Sequence, residues 1–210
     1  YSDRFYKNLI KKKKDPRIIK EYKKLLKYKK MIKFVYQNVP KGTGDAVLKT
    51  KRFITDKYFL MLLPDDLIIK KNCSKSMINV HQKYKSSVMA SMQVNKSTVS
   101  RWGIYNLTKR LSKSDYLISD VVEKPSIKDA PSNKAVIGRY ILPKTIFKKL
   151  KNQNSGKGGE IHITDAIQSL IKDNENFIAH NFSGKYLDCG TMNGYINSGK
   201  KINNLWNYAW

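Results

Sequence analysis

The chain has 210 residues, with 42 Lys+Arg against 16 Asp+Glu and a formal charge of +26. That length supports one substantial core, a single domain or most of one, and a hydrophobic content of 40% fits a soluble globular protein. A membrane-spanning helix is excluded, because the longest apolar run is cut by Pro64, Asp65 and Asp66. The charge suggests nucleic acid, but arginine, the usual reader of bases and bidentate binder of phosphate, occurs only at positions 4, 17, 52, 101, 110 and 139. Lysines run through nearly every segment, as in a solvated surface biased by composition, part of which can favour anionic substrates. A basic nucleic-acid-binding module stays as the competing class. Cys73, Cys189 and three histidines lack the spacing of a usual zinc site, so a reducing compartment is expected.

Tyr1 falls inside what reads as a helix, so the chain is expected to be a fragment of a longer one. Residues 3 to 29 read as two basic amphipathic helices broken at Asp15-Pro16, with Ile18, Tyr22 and Leu25 on one face of the second. A strand over Ile32 to Tyr36 leads into the loop Gln37 to Val47. There, Gly42 and Gly44 let backbone approach a ligand before a helix begins. Phe59 to Leu63 reads as a short strand buried on both faces and stopped by Pro64-Asp65-Asp66. A carboxylate at the end of such a strand can hold a hard divalent cation, although an Asp pair alone often only caps a turn.

A helix over Ser74 to Lys85 and strands near Ser87 to Val94, Gly103 to Asn106 and Leu117 to Val122 follow. The last of these ends in Glu123-Lys124-Pro125, an acceptor beside a cation. Ala135 to Leu142 is a strand whose Gly138 implies close approach of a ligand or another backbone. After the glycine-rich turn at 156–160, Ile163, Ala166, Ile167, Leu170 and Ile171 share one helical face. A strand over Phe177 to Phe182 precedes Asp188-Cys189-Gly190 and a final helix, with Trp206 and Trp210 as packing residues.

The order of these pieces resembles the bacterial UTP–glucose-1-phosphate uridylyltransferases (UDP-glucose pyrophosphorylases) of the sugar nucleotidyltransferase superfamily. The residues that carry the resemblance are Gln37 with Pro40 to Val47, Leu62 to Asp66, Val121 to Pro125, Ala130 to Asn133, Gly138 to Tyr140, Gly158 to Ala166 and Tyr186 to Gly190. It covers essentially the whole chain, but the family's opening strand and glycine-rich nucleotide-phosphate loop have no counterpart, so this fragment alone is expected to be inactive. His162 stands where the family usually has Gln.

The resemblance implies an α/β, Rossmann-like three-layer fold with a mixed, mainly parallel sheet lacking its first strands, forming a single nucleotidyltransferase domain over 1–210. It implies uridylyl transfer from UTP to glucose 1-phosphate, with Mg²⁺ held by Asp65 and Asp188, and with Asp66 as a supporting carboxylate. Lys124 would neutralise the sugar phosphate and Glu123 accept hydrogen bonds from glucose, with Gly103 and Gly138 bringing main chain to the sugar and Gln37 and Gly42 facing uracil. A cytoplasmic homodimer or homotetramer, without nucleic-acid or membrane partners, is expected. A thymidylyltransferase or a degenerate regulatory subunit are the readings nearest to it.

Overall fold

The computed structural model describes residues 16–206 and, before them, Arg4, Lys7, Asn8, Lys11 and Lys12. The chain divides into two compact units, Tyr1–Asn38 and Val39–Trp210. In the first, helix α1 (Pro16–Met31) starts on its proline, where a missing N–H costs nothing. Tyr22 is half-buried and Leu25 exposed; the expected helix before Asp15 and the packing of Trp210 lie largely or wholly outside the described residues.

The strand expected over Ile32 to Tyr36 is not formed. Its alternating Phe34 and Tyr36 stand 78% and 82% exposed. Alternation gives a segment the capacity for one apolar face, but a strand exists only by pairing, and these residues pair with none of the described strands.

The second unit is a three-layer α/β structure. Its strands are β1 (Tyr58–Leu62), β2 (Asp66–Ile69), β3 (Ser87–Gln93), β4 (Gly103–Arg110), β5 (Asp115–Glu123), β6 (Lys134–Pro143), β7 (Phe177–Asn181) and β8 (Lys185–Asp188). Its helices are α2 (Thr43–Lys49), α3 (Cys73–Tyr84), α4 (Ile146–Asn152), α5 (Ile163–Lys172) and α6 (Met192–Trp206). Six strands form one sheet in the order β1-β6-β3-β7-β5-β4, while β2 and β8 form a separate antiparallel ribbon.

The sheet is mixed, as expected, but its balance differs from the expectation of mainly parallel pairing. Among the described strands only β3 and β7 pair in parallel. The other pairings, including β6 with both β1 and β3, are antiparallel because β6 runs back between them. Nor is β1 buried on both faces: it pairs only with β6 at the sheet edge, and Leu62 is 49% exposed.

One face of the sheet packs Met89, Tyr140, Leu142 and Phe177 against Phe147 of α4 and Ile163, Ala166, Ile167 and Leu170 of α5. These α5 positions recur at helical spacing and are buried, as the sequence predicts. Each large aliphatic side chain so buried contributes about 1.5–3 kcal/mol. The opposite face packs Val88, Ala90, Ile137, Ile141 and Ile178 against Met77 and Val80 of α3.

A polar relay also ties α3 to the sheet. Ser76 Oγ lies 2.7 Å from His180 Nε2 on β7, and His180 Nδ1 lies 2.6 Å from Asp115 Oδ1 on β5. His180 and Asp115 are both buried, so their mutual bond removes the cost of leaving polar groups dry. Among the described residues no helix is long and apolar enough to cross a membrane.

Candidate active site

The β2–β8 ribbon brings together two carboxylates that the sequence holds far apart. Its register sets Asp66 opposite Asp188, so Asp65 lies just before one strand while Asp188 ends the other. The Cys189 N–H donates to the Asp65 carbonyl at 2.8 Å, closing the ribbon, and the Gly190 N–H donates to Asp188 Oδ1 at 2.9 Å. A Cβ on Gly190 would stand 2.9 Å from Asp65 Oδ2 and 3.5 Å from Asp188 Oδ1. The absent side chain therefore leaves a cradle that both carboxylates face.

Those donors suit a hard divalent cation, which takes oxygen ligands and completes its shell with water and phosphate. Among the described residues no cluster of three or more His, Cys, Asp or Glu side chains forms a closed metal cage. An open pair beside a substrate cavity is the arrangement in which substrate phosphates supply the remaining ligands.

Asp66 is committed to the protein. Its Oδ2 accepts the Gly138 N–H at 2.6 Å and its Oδ1 the Tyr186 hydroxyl at 2.5 Å. Burial pushes the Tyr186 phenol up, and the hydrogen bond to Asp66 and the charges of Asp66, Asp188 and Asp65 add to that rise. The three carboxylates thus act on one phenol.

A cavity of about 610 Å³ is lined by Thr43, Leu63, Glu123, Lys124, Tyr140 and residues of the stretch Gly158 to Asp165. Leu63 leads directly into Pro64-Asp65, so the carboxylate turn adjoins the cavity wall. The Tyr140 phenol is pushed up by burial and then by the charges of Asp66 and Glu123.

Glu123 ends β5 opposite Gly103 of β4. A Cβ on Gly103 would stand 3.1 Å from Glu123 Oε2. Lys124 takes the left-handed backbone region, at φ 46°, and its N–H donates to the Trp102 carbonyl at 3.0 Å.

The close contacts of two further glycines named from the sequence are with the protein itself. The Gly138 N–H is taken by Asp66 and its carbonyl accepts the Leu63 N–H at 2.8 Å, and a Cβ there would meet Leu63 at 2.6 Å. Its close approach is to the side chains of Asp66 and Leu63.

Gly42, at φ 92°, likewise meets protein: a Cβ would stand 2.7 Å from the Ile161 carbonyl, which also accepts the Gly44 N–H at 2.8 Å. The Gly-x-Gly loop is therefore narrow because the 160–161 segment pairs with it. Gln37 belongs to the first unit.

The sequence also concealed several participants. Tyr186 lies two residues before Asp188 on one strand, so period-two alternation puts both on the same face; that signal was present. Ser198 of α6 donates to the Asp188 carbonyl at 2.9 Å, and a Cβ on Gly194 would stand 2.7 Å from the same oxygen. Small residues four apart on the last helix were the available sign. Arg139 Nη1 donates to the carbonyls of Leu63 at 2.9 Å and Gly138 at 3.1 Å, a contact no spacing announces.

Comparison with known proteins agrees with this architecture. The nucleotidyl transferase family model matches residues 4–204. A UTP–glucose-1-phosphate uridylyltransferase of Pseudomonas aeruginosa is 39% identical over 166 residues, covering 78% of this chain and 59% of that protein. A second protein of that name, from Streptococcus pyogenes serotype M3, is 38% identical and is covered over 56% of its length. The chain thus spans less than two thirds of these curated relatives.

A solved UDP-glucose pyrophosphorylase complexed with UDP-glucose superposes with a TM-score of 0.76 at 39% identity, covering 82% of this chain and 66% of that one. With a family match that runs across nearly all of its length and a mixed α/β fold shared with that enzyme, this chain belongs to the nucleotidyl transferase family.

Proposed function

We propose that this protein transfers a uridylyl group from UTP to glucose 1-phosphate, giving UDP-glucose and pyrophosphate. The observation that carries this reading is the Asp65–Asp188 pair gathered at Gly190, one proline away along the chain from Leu63 in the wall of the cavity that Glu123 and Lys124 line. Relatives that bear this activity in their names make glucose 1-phosphate and UTP the favoured pair.

Lys124 sets an ammonium beside the sugar phosphate, and Glu123 accepts hydrogen bonds from the sugar hydroxyls next to the backbone of Gly103. The attacking phosphate oxygen and the α-phosphorus of UTP are thereby held in line, and positioning with charge neutralisation supplies most of the catalysis in such transfers. Asp65 and Asp188 would hold Mg²⁺, which when bound neutralises phosphate oxygens and orients them.

The two units are read as parts of one nucleotidyltransferase domain, because the family match crosses the boundary between them. The substrates suit a cytoplasmic enzyme, and we retain a homodimer or homotetramer as its assembly.

The test is pyrophosphate release by the protein together with any coding sequence upstream of Tyr1. UTP and dTTP are crossed with glucose 1-phosphate and other sugar phosphates, with and without Mg²⁺. Release that needs UTP, glucose 1-phosphate and Mg²⁺ together is expected. Release only with dTTP replaces the nucleotide in this reading, and no release with any pair overturns it.

A further inference from the structure

We propose that Tyr186 and Asp66 are positioning residues that set the spacing of the Asp65–Asp188 pair. The proposal rests on the reading of that pair as cation ligands. Both strands of the ribbon have only four residues, and β2–β8 is a sheet of its own. A two-stranded ribbon this short is marginal without further support. The carboxylates it carries therefore need an anchor beyond their own ladder.

That anchor is a line of hydrogen bonds to the main sheet. The Tyr186 hydroxyl donates to Asp66 Oδ1 at 2.5 Å across the ribbon, and Asp66 Oδ2 accepts the Gly138 N–H of β6 at 2.6 Å. With the Leu63 N–H donating to the Gly138 carbonyl at 2.8 Å, the turn holding Asp65 is fixed to β6 on both sides. Each oxygen of Asp66 already accepts a hydrogen bond from the protein, so it braces the turn from outside the pair.

Tyr186 also reaches the other half of the site. Its ring meets Trp102 edge-on at 5.8 Å, and the Trp102 carbonyl accepts the Lys124 N–H at 3.0 Å. A single phenol thus touches the ribbon that carries the anionic pair and the residue whose backbone holds the cationic turn. Removing its hydroxyl cuts the side-chain tie from β8 to Asp66 of β2 while leaving the ring packed.

The test is Mn²⁺ binding by electron paramagnetic resonance with saturating UDP-glucose, on wild type, Tyr186→Phe, Asp66→Asn and Asp65→Ala. Thermal unfolding and UDP-glucose affinity without cation are measured alongside. Tyr186→Phe is expected to weaken Mn²⁺ binding about tenfold, a loss of one well-formed hydrogen bond to a charged group, with cation-free UDP-glucose affinity unchanged. Asp66→Asn keeps an acceptor for Gly138 and is expected to weaken Mn²⁺ in the same direction, serving in place of Tyr186→Phe if that variant does not fold.

Wild-type Mn²⁺ affinity in folded Tyr186→Phe, with binding lost in Asp65→Ala, overturns the proposal and leaves the metal pair standing. Wild-type affinity in Asp65→Ala, or no Mn²⁺ binding by the wild type, overturns the metal pair and the proposal with it.

Discussion

The β2–β8 ribbon and the β4–β5 hairpin each end at the site, and they hold their charges in different ways. The hairpin is local: Gly103 and Glu123 pair across one antiparallel hairpin, and Lys124 follows in the left-handed backbone region with its N–H on the Trp102 carbonyl. The ribbon joins Asp66 to Asp188 across most of the unit and relies on side-chain bonds and on glycines that leave room. The cationic half is positioned by backbone conformation, the anionic half by packing from a distance. Damage to the second should therefore spread further from the altered residue.

The largest effect expected is on the anionic half. Asp65→Ala or Asp188→Ala should lower the rate of pyrophosphate release by about 10³-fold, the scale of losing one electrostatic contact to a transferring group. The circular dichroism spectrum should be unchanged, and wild-type rates in either variant would remove the metal assignment. Gly138→Ala comes next, because its methyl would meet both Asp66 and Leu63. Overpacking of this kind should cost about 3 kcal/mol in denaturant-induced unfolding, and an unchanged midpoint would show that the ribbon yields freely.

On the cationic side, Lys124→Ala should reduce kcat/KM for glucose 1-phosphate by about 10²-fold and leave the UTP dependence nearly unchanged. An equal loss for both substrates would place Lys124 elsewhere in the reaction.

The smallest effects compare two glycines of one helix. Gly194→Ala should destabilise by about 2 kcal/mol, since a Cβ there stands 2.7 Å from the Asp188 carbonyl. Gly199 has nothing within 4 Å of such a Cβ, so Gly199→Ala should stabilise by about 0.5–1 kcal/mol through helix propensity. Thermal unfolding of the two variants decides whether the α6 contact with β8 is as tight as this contrast requires.

Periodicity revealed α5 well because Ile163, Ala166, Ile167 and Leu170 face one continuous core. The order of the short motifs marked Asp65, Glu123, Lys124 and Asp188; the fold gathers the two aspartates at Gly190 and sets Glu123 and Lys124 in one cavity wall. What the sequence could not show is partnership. Asp66 to Ile69 is too short to declare itself a strand, and its partner lies at Lys185 to Asp188. Ile32 to Tyr36 has strand composition but takes no strand conformation, and the space at Gly138 holds the Asp66 carboxylate, a neighbour that sequence spacing does not announce. Cys73 is a plainer case: burial pushes its thiol up to about 11, despite the opposing charge of Arg139, as a small core residue should behave.

The pairing of Asp66 with Asp188 also bears on how the protein acquires its chemistry. Bringing these residues together closes a loop that contains most of the sheet, and such a contact forms only after the shorter loops have closed. An incompletely folded molecule can possess the β4–β5 hairpin and its lysine, but not the carboxylate cradle. Cation binding is then the last property to emerge during refolding, and its appearance in a stopped-flow experiment would time the end of assembly.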